Sequence, residues 1–242
     1  MRWAIISDIH ANLQALEAVL LKADSVGWDR MICLGDIVGY GAEPNECVEQ
    51  VSARCEATIM GNHDAAVLGV ADTSRFSVPA REATQWTAEQ LSDDSRRYLR
   101  DLPYSAEFDS FEIVHSTPED PPAWHYLMTE FDAAALYDSF EKDLLFFGHT
   151  HVACVFQHLE NGAVSQHEPH SFFLAPGSRY IVNAGSVGQP RDGDPRASFA
   201  LLDTDAQRVE FFREEYDIEQ AQRRIIDAGL PRILATRLSH GS

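Results

Sequence analysis

The sequence is poor in cysteine and in positive charge, and it has no long apolar run. Its four cysteines, Cys33, Cys47, Cys55 and Cys154, form no Cys-x-x-Cys pair. That excludes a zinc knuckle and a redox dithiol and fits reduced thiols in a cytoplasmic protein. Lys and Arg total 19 against 38 Asp and Glu, a formal net charge of −19. The summed field of such a chain repels phosphate, so general binding to a nucleic-acid backbone is not expected. No apolar stretch approaches a membrane span, and the run ending at Ile6 meets Asp8 too soon for a signal-peptide core. No membrane association is therefore expected. Repeats and low-complexity tracts are absent as well. With 242 residues, 45% of them hydrophobic, the chain can bury a full core, and one domain over 1–242 is expected. Oligomeric state leaves no sequence signature. An anionic substrate would need a local reversal of sign.

What is present is a regular alternation. Strands are expected at Trp3–Ser7, Met31–Leu34, Ala57–Met60, Phe111–Val114 and Leu144–Phe147. Between them, Leu13, Leu16, Val19 and Leu20 recur at helical spacing with Gly27 as a stop. Pro44 opens a second helix, and Phe131–Phe140 reads as another. The segment 79–102 reads as a helical cap or subunit contact. Beyond it come five short strand candidates, at Val152–Phe156, Ala163–Gln166, Tyr180–Val182, Ser198–Leu202 and Val209–Phe212, then a helix over Ile218–Ala228. The fold class is α/β, in the form of an α+β sandwich: a two-sheet β-sandwich flanked by α-helices.

The polar residues fall at strand ends. The first strand is followed by Asp8-Ile9-His10, the second by Gly35-Asp36, the third by Gly61-Asn62-His63-Asp64. The Phe111 strand is followed by His115, and the Leu144 strand by Gly148-His149-Thr150-His151. Loops beyond the carboxyl ends of strands converge on one crevice, so residues far apart in sequence can meet. In extended chain, i and i+2 point the same way, so Asp8 with His10, and His149 with His151, each aim two ligands together. Asp8, His10, Asp36, Asn62, His115, His149 and His151 are too many for one ion and suit two that share a carboxylate. Their mix of imidazole, carboxylate and amide oxygen fits Mn, Fe, Zn or Co, not an all-oxygen calcium site. Two such ions clamp phosphorus for in-line attack and make the site locally positive.

Singly, each residue has a plainer explanation. A strand-end Asp is usually a turn former or cap, and Asp8 can cap the helix beginning near Ala11. Lone histidines are usually solvated or satisfied. His125, His158, His167, His170 and His240 read that way, with His125 nearest the expected site loop. Five strand-end coincidences, three of them beside glycine, are not explained by structural needs alone.

Asp8-x-His10, Gly35-Asp36, Gly61-Asn62-His63-Asp64, His115 and Gly148-His149-Thr150-His151 together resemble the motif set of the calcineurin-like metallophosphoesterase family. The segment Asn183-Ala184-Gly185-Ser186-Val187-Gly188-Gln189-Pro190-Arg191 is similar to the small prokaryotic-type branch of that family. Asp36 to Pro44 resembles a subgroup described as diadenosine tetraphosphatase-like or general phosphodiesterase. Ser116 departs from the Gly that the family pattern leads one to expect.

The resemblance implies the two-sheet sandwich and two ions, Mn or Fe favoured. One would sit on Asp8, His10, Asp36 and His151, the other on Asp36, Asn62, His115 and His149, with a bridging hydroxide attacking phosphorus. It further implies that His63 donates a proton to the leaving group and that Asp64 orients His63; Asp64 also reads as a helix N-terminal carboxylate favoured by the dipole, and both can hold together. Among substrate residues, Asn12 is either a phosphate ligand or a helix N-terminal residue. Tyr40 either stacks on a base or lies at the rim. Arg191 either binds phosphate or pairs with Asp192 or Asp194. Trp124 and Tyr126 either wall a nucleoside or pack down their loop.

The expected activity is metal-dependent hydrolysis of a phosphodiester or dinucleoside polyphosphate, with a small phosphorylated substrate such as a nucleotide as partner. One alternative is a protein serine/threonine phosphatase, which needs a wider groove than these short loops provide. Another is a catalytically silent binding module of the same fold, disfavoured by the presence of His63 and of every ligand. A purely structural metal site predicts unfolding on chelation.

Overall fold

The computed structural model describes residues 1–159 and 161–242. Strand alternation decides its architecture. In β1 (Arg2–Ile6), Trp3 and Ile5 turn one way and Ala4 and Ile6 the other, and all four are buried. A strand apolar on both faces must be covered twice. β1 pairs in parallel with β2 (Arg30–Cys33), which pairs in parallel with β3 (Ala57–Thr58).

The second sheet is built on β4 (Ser105–Glu107), β5 (Glu112–Val114) and β6 (Leu144–Phe147), continued by β7 (Cys154–His158) and β8 (Val164–His167). The first sheet gains β9 (Phe172–Phe173), the second β10 (Arg179–Asn183), and the first again β11 (Ala197–Asp203) and β12 (Arg208–Glu214). The orders are β3-β2-β1-β11-β12-β9 and β4-β5-β6-β10-β7-β8. In the second sheet β5, β6 and β10 run parallel.

The sheets face each other through Trp3, Ile5, Ile32 and Leu34 on one side and Ile113, Phe146 and Val182 on the other. Full burial of each such side chain stabilises the fold by about 1.5–3 kcal/mol. Outside the first sheet, Ala4, Ile6, Met31 and Cys33 pack on α1 (Leu13–Val26) and α2 (Pro44–Arg54). Outside the second, Leu145 and Phe147 cluster with Ala133 and Leu136, whose helix spans Glu130–Leu136. This is the expected two-sheet sandwich flanked by helices.

Three details differ from expectation. Pairing in the third strand stops at Thr58, because Met60 and Gly61 turn the chain into α3 (Asn62–Val67). The segment 79–102, read only as helical, is divided into two helices, α4 (Val78–Gln90) and α5 (Asp93–Arg100). Ser92 breaks it: its hydroxyl accepts from the Ser95 amide at 3.1 Å and caps α5. Leu91 and Leu99 lock this segment into the cluster that also holds α1 and α2. Finally, β4 and β9 are too short to show alternation in the sequence. With α6 taken as Glu130–Leu136, the chain closes with α7 (Ile218–Asp227) and α8 (Arg232–Thr236), which pack on Ala80, Ala83 and Tyr40. No described helix is long and apolar enough to cross a membrane.

Candidate metal centre

The parallel pairing of β1 and β2 continues past the strands into the loops. Asp8 donates its amide to Gly35 O at 3.0 Å, His10 to Asp36 O at 2.9 Å, and Ala11 to Ile37 O at 2.8 Å. To do this while aiming their side chains inward, the residues adopt left-handed backbone. Asp8, His10, Ala11, Asp36, Tyr40, His149 and His151 all have φ between 51° and 67°. That conformation costs roughly 1–2 kcal/mol for an L-residue, and here it is concentrated around one cluster. Close approach is needed too. A Cβ on Gly148 would lie 2.1 Å from Ser7 Oγ and 2.7 Å from Asp8 Oδ2, and one on Gly61 would lie 2.1 Å from Asp36 Oδ1.

The first half of the cluster holds Asp8, His10, Asp36 and His151, whose ligand atoms lie within 4.8 Å of one another. His10 Nδ1 is 3.1 Å from Val38 O, and His151 Nδ1 is 2.6 Å from Gln189 O. A carbonyl only accepts, so each Nδ1 carries the proton and each Nε2 is a lone pair. Those two lone pairs face each other at 3.0 Å. Asp8 Oδ1 is 3.3 Å from His151 Nε2, and Asp36 Oδ2 is 3.6 Å from His10 Nε2. The His149 amide donates to Asp8 Oδ1 at 3.2 Å, but no donor stands between the two imidazole lone pairs, an arrangement that a cation stabilises.

In the second half His115 Nδ1 donates to Leu34 O at 2.7 Å, and His149 Nε2 lies 3.1 Å from Trp124 O. His115 Nε2 is 3.3 Å from Asn62 Oδ1 and 3.4 Å from Asp36 Oδ2, and His149 Nδ1 is 2.8 Å from Asn62 Oδ1. Asp36 thus belongs to both halves. The residues fit two divalent ions, and the carbonyls behind the imidazoles fix each ring for ligation.

Burial holds His10 and His151 well below the ordinary imidazole range, and burial with His115 nearby pushes His149 down to about 3. Burial works against the Asp36 carboxylate as well, and His115 and His63 overcome it, leaving that group well below its usual range. These three neutral imidazoles beside an ionised aspartate are in the states that ligation requires. Burial also disfavours charge on His115, but Asp36 and Asp8 outweigh it and hold that ring at about 9, and burial pushes Asp8 up to about 7. Those two groups hold protons that a bound cation would displace.

The other predicted site residues fall in different places. His63 donates its backbone amide to Asp36 Oδ1 at 2.8 Å, and its ring packs 4.9 Å from His10 and 4.4 Å from Tyr40. Its Nδ1 is buried without a hydrogen-bond partner among the described residues. Asp64 does not touch that ring, so the expected orienting contact is corrected. Its carboxylate instead accepts from the amides of Ile37, Val38 and Gly61 at 3.0, 3.2 and 3.1 Å. It clips the loop after β2 to the start of α3.

Asn12, not Asp8, caps α1. Its Oδ1 accepts from Ala15 N at 3.2 Å and its Nδ2 donates to Gly188 O at 2.8 Å. Tyr40 does not stand free for stacking; it is buried against His10 and His63. Arg191 forms neither expected ion pair, because Asp192 pairs with Arg213 and Asp194 with Arg196. It donates to Gln189 Oε1 at 2.9 Å and Tyr40 OH at 3.3 Å, with Nε buried and unpartnered. Ser116 is buried and sits outside the left-handed region, so no glycine is required there.

Supporting groups that sequence reasoning did not assign complete the site. Ser7 donates to Asp8 Oδ2 at 2.6 Å, and Ser186 to Asp8 O at 2.8 Å. Asn183 donates to Gly148 O at 2.7 Å and holds the His149 turn. For Asn183 and Ser186 the signal was the Asn-Ala-Gly-Ser run at the end of β10.

Two buried Asp/His clusters able to hold metal and sharing Asp36, at the strand ends of a two-sheet sandwich, are the arrangement of a phosphoesterase-type fold. The description of the calcineurin-like phosphoesterase superfamily domain matches residues 1–207. The chain belongs to that superfamily. It is 38% identical to an uncharacterized protein of Methanocaldococcus jannaschii, over 98% of this chain and 97% of that one. A metallophosphoesterase from Sphaerobacter thermophilus superposes with a TM-score of 0.90 and 44% identity, covering 100% and 99% of the two chains. A hypothetical protein from Pyrococcus horikoshii OT3 shares the fold, with a TM-score of 0.79 and 23% identity over 100% and 98%.

Proposed function

We propose that this protein is a phosphohydrolase working with two divalent ions, Mn or Fe favoured, on a small phosphodiester or dinucleoside polyphosphate. The observation that carries this reading is the pair of Asp/His clusters joined at Asp36. Asp8, His10, Asp36 and His151 would hold one ion, and Asp36, Asn62, His115 and His149 the other. Bound there, the ions would supply positive charge for the phosphoryl oxygens and an acidified water for attack on phosphorus.

The chain's own groups do the rest. His63, pushed down to about 4 by burial, is neutral near pH 7 and offers a ring N–H to the departing oxygen. Its ring nitrogen without a partner is a group that substrate would satisfy. Arg191 is a guanidinium beside Tyr40 with spare donors, suited to a phosphate oxygen. Asp64 positions the loops that carry Asp36, Asn62 and His63. The seven ligand side chains are at most 6% exposed, so a substrate must reach into a recess, which favours a small ester over folded polypeptide.

The test is hydrolysis by metal-stripped protein before and after addition of Mn²⁺. The substrates are an aryl phosphomonoester, an aryl phosphodiester and diadenosine tetraphosphate. Restored cleavage of the diester or dinucleotide is the expected result. Cleavage of the monoester alone would move the reading toward a phosphatase. No turnover with two metals bound would leave a silent binding module.

A further inference from the structure

A pocket of about 530 Å³ opens directly beside the second half of the cluster and shares Asn62 and His149 with it. That volume suits a small organic ligand. Its wall is aromatic: Phe76, Tyr104, Trp124 and Tyr126 line it, with Arg75 and His125 among its polar groups. Two other cavities, of about 470 and 680 Å³, contain none of the cluster's residues.

Several features show that this wall is built rather than incidental. Trp124 sits at φ 54°, in left-handed backbone, directly after a short 3₁₀ turn at Pro121–Ala123. For a bulky residue that conformation is a true outlier, and such strain collects at functional positions. Its carbonyl lies 3.1 Å from His149 Nε2, so the wall and the cluster are joined. Tyr104 lies 5.8 Å from Trp124, and Tyr126 stacks on the His149 ring at 4.3 Å. Tyr104 and Tyr126 remain 37% and 58% exposed, so their ring faces are not spent on the core. Arg75 makes no ion pair among the described residues, and the Asp72 carboxylate near it is taken by the Ser74 amide and hydroxyl. Asp72 lines the same pocket and its carboxylate feels the Arg75 charge, so the wall offers a ring both apolar faces and polar groups at its edge.

We propose that this pocket is the nucleoside subsite: the base of a nucleotide-type substrate packs on Tyr104 and Trp124 while its phosphate enters the cluster. This rests on the phosphohydrolase reading and narrows its substrate to esters bearing a base. Stacking of a base on an aromatic side chain is strong enough to show as a tenfold or greater change in affinity, in order of magnitude.

The experiment is calorimetric titration of Mn²⁺-loaded protein with adenosine monophosphate and with methyl phosphate, alongside an independent assay of methyl 4-nitrophenyl phosphate hydrolysis. The nucleotide is expected to bind at least about tenfold more tightly than methyl phosphate. Trp124→Ala and, separately, Tyr104→Ala should abolish that ratio, with methyl phosphate affinity unchanged in the Tyr104 variant. Tyr104 is on the surface, so the second variant tests the subsite even if the first disturbs its loop. Equal affinities for the two ligands would overturn the subsite, and so would a preference that survives both substitutions. Hydrolysis of the methyl ester with no nucleotide preference would sink the subsite and keep the phosphohydrolase. Nucleotide preference without hydrolysis would do the reverse.

Discussion

His10 and His151 are pinned by the carbonyls of Val38 and Gln189, both in loops packed against β1 and β2, and the two rings are almost wholly buried. His149, across the cluster, is pinned by the carbonyl of Trp124, on a loop whose next two residues, His125 and Tyr126, are exposed. The first half is closed by Tyr40 and the C-terminal helices behind it; the second opens onto the aromatic pocket. Similar ligand chemistry is thus mounted once on the core and once on a surface loop. On the proposed function, a closed half would fix a charge in place and an open half would let a substrate approach it, which puts substrate selection in the second.

The largest effect should come from removing what the halves share. Asp36→Asn is expected to lower metal content in both and to cut turnover by about a thousandfold or more, since several kcal/mol of charge stabilisation is lost. Metal analysis beside kinetics checks this; retention of two ions would break the idea of a shared ligand. His63→Ala should touch neither half. Metal content is expected to stay, while turnover falls by at least about two orders of magnitude. Unchanged turnover would remove His63 from the mechanism.

Chelation with EDTA sharpens the comparison further. The protein should remain folded, because its core is built without the ions, with a modest fall in Tm. Hydrogen exchange should quicken in the loop 116–128 and stay slow at 8–12 and 36–41. Loss of the melting transition would instead favour a structural metal site. Asn12→Ala should have the smallest effect: about 1 kcal/mol less stability through the lost cap, with kcat/KM nearly unchanged. A large rise in KM would return Asn12 to the substrate.

Much of this was legible in the sequence, for identifiable reasons. Strand-end ligands were readable because parallel strands must deliver their following residues to one edge of the sandwich. Asp8, Asp36, Asn62, His115 and His149 could be grouped without knowing any distance. The helix of α1 was readable from its apolar spacing and from Gly27. The break at Ser92 was not, since apolar residues continue on both sides of it. Asp64 was legible in one of its two readings: it is the helix N-terminal carboxylate expected at the first turn of α3, where it accepts from the amides of Gly61, Ile37 and Val38 and makes no hydrogen bond to His63 among the described residues. Arg191 was left between a phosphate and an ion pair with Asp192 or Asp194, carboxylates that Arg213 and Arg196 take instead.

By itself, then, the sequence determined the sandwich, the residues able to bind metal and the superfamily they resemble. Periodicity and strand-end chemistry are local and survive in one dimension. Only the tertiary structure decided which lone pairs face one another and that Asp36 stands between two sets. It also decided that Phe76, Tyr104 and Trp124, which lie far apart in the chain, form one wall beside His149. Those facts depend on loops brought together by sheet pairing and left-handed turns, and no local pattern in the chain encodes that approach.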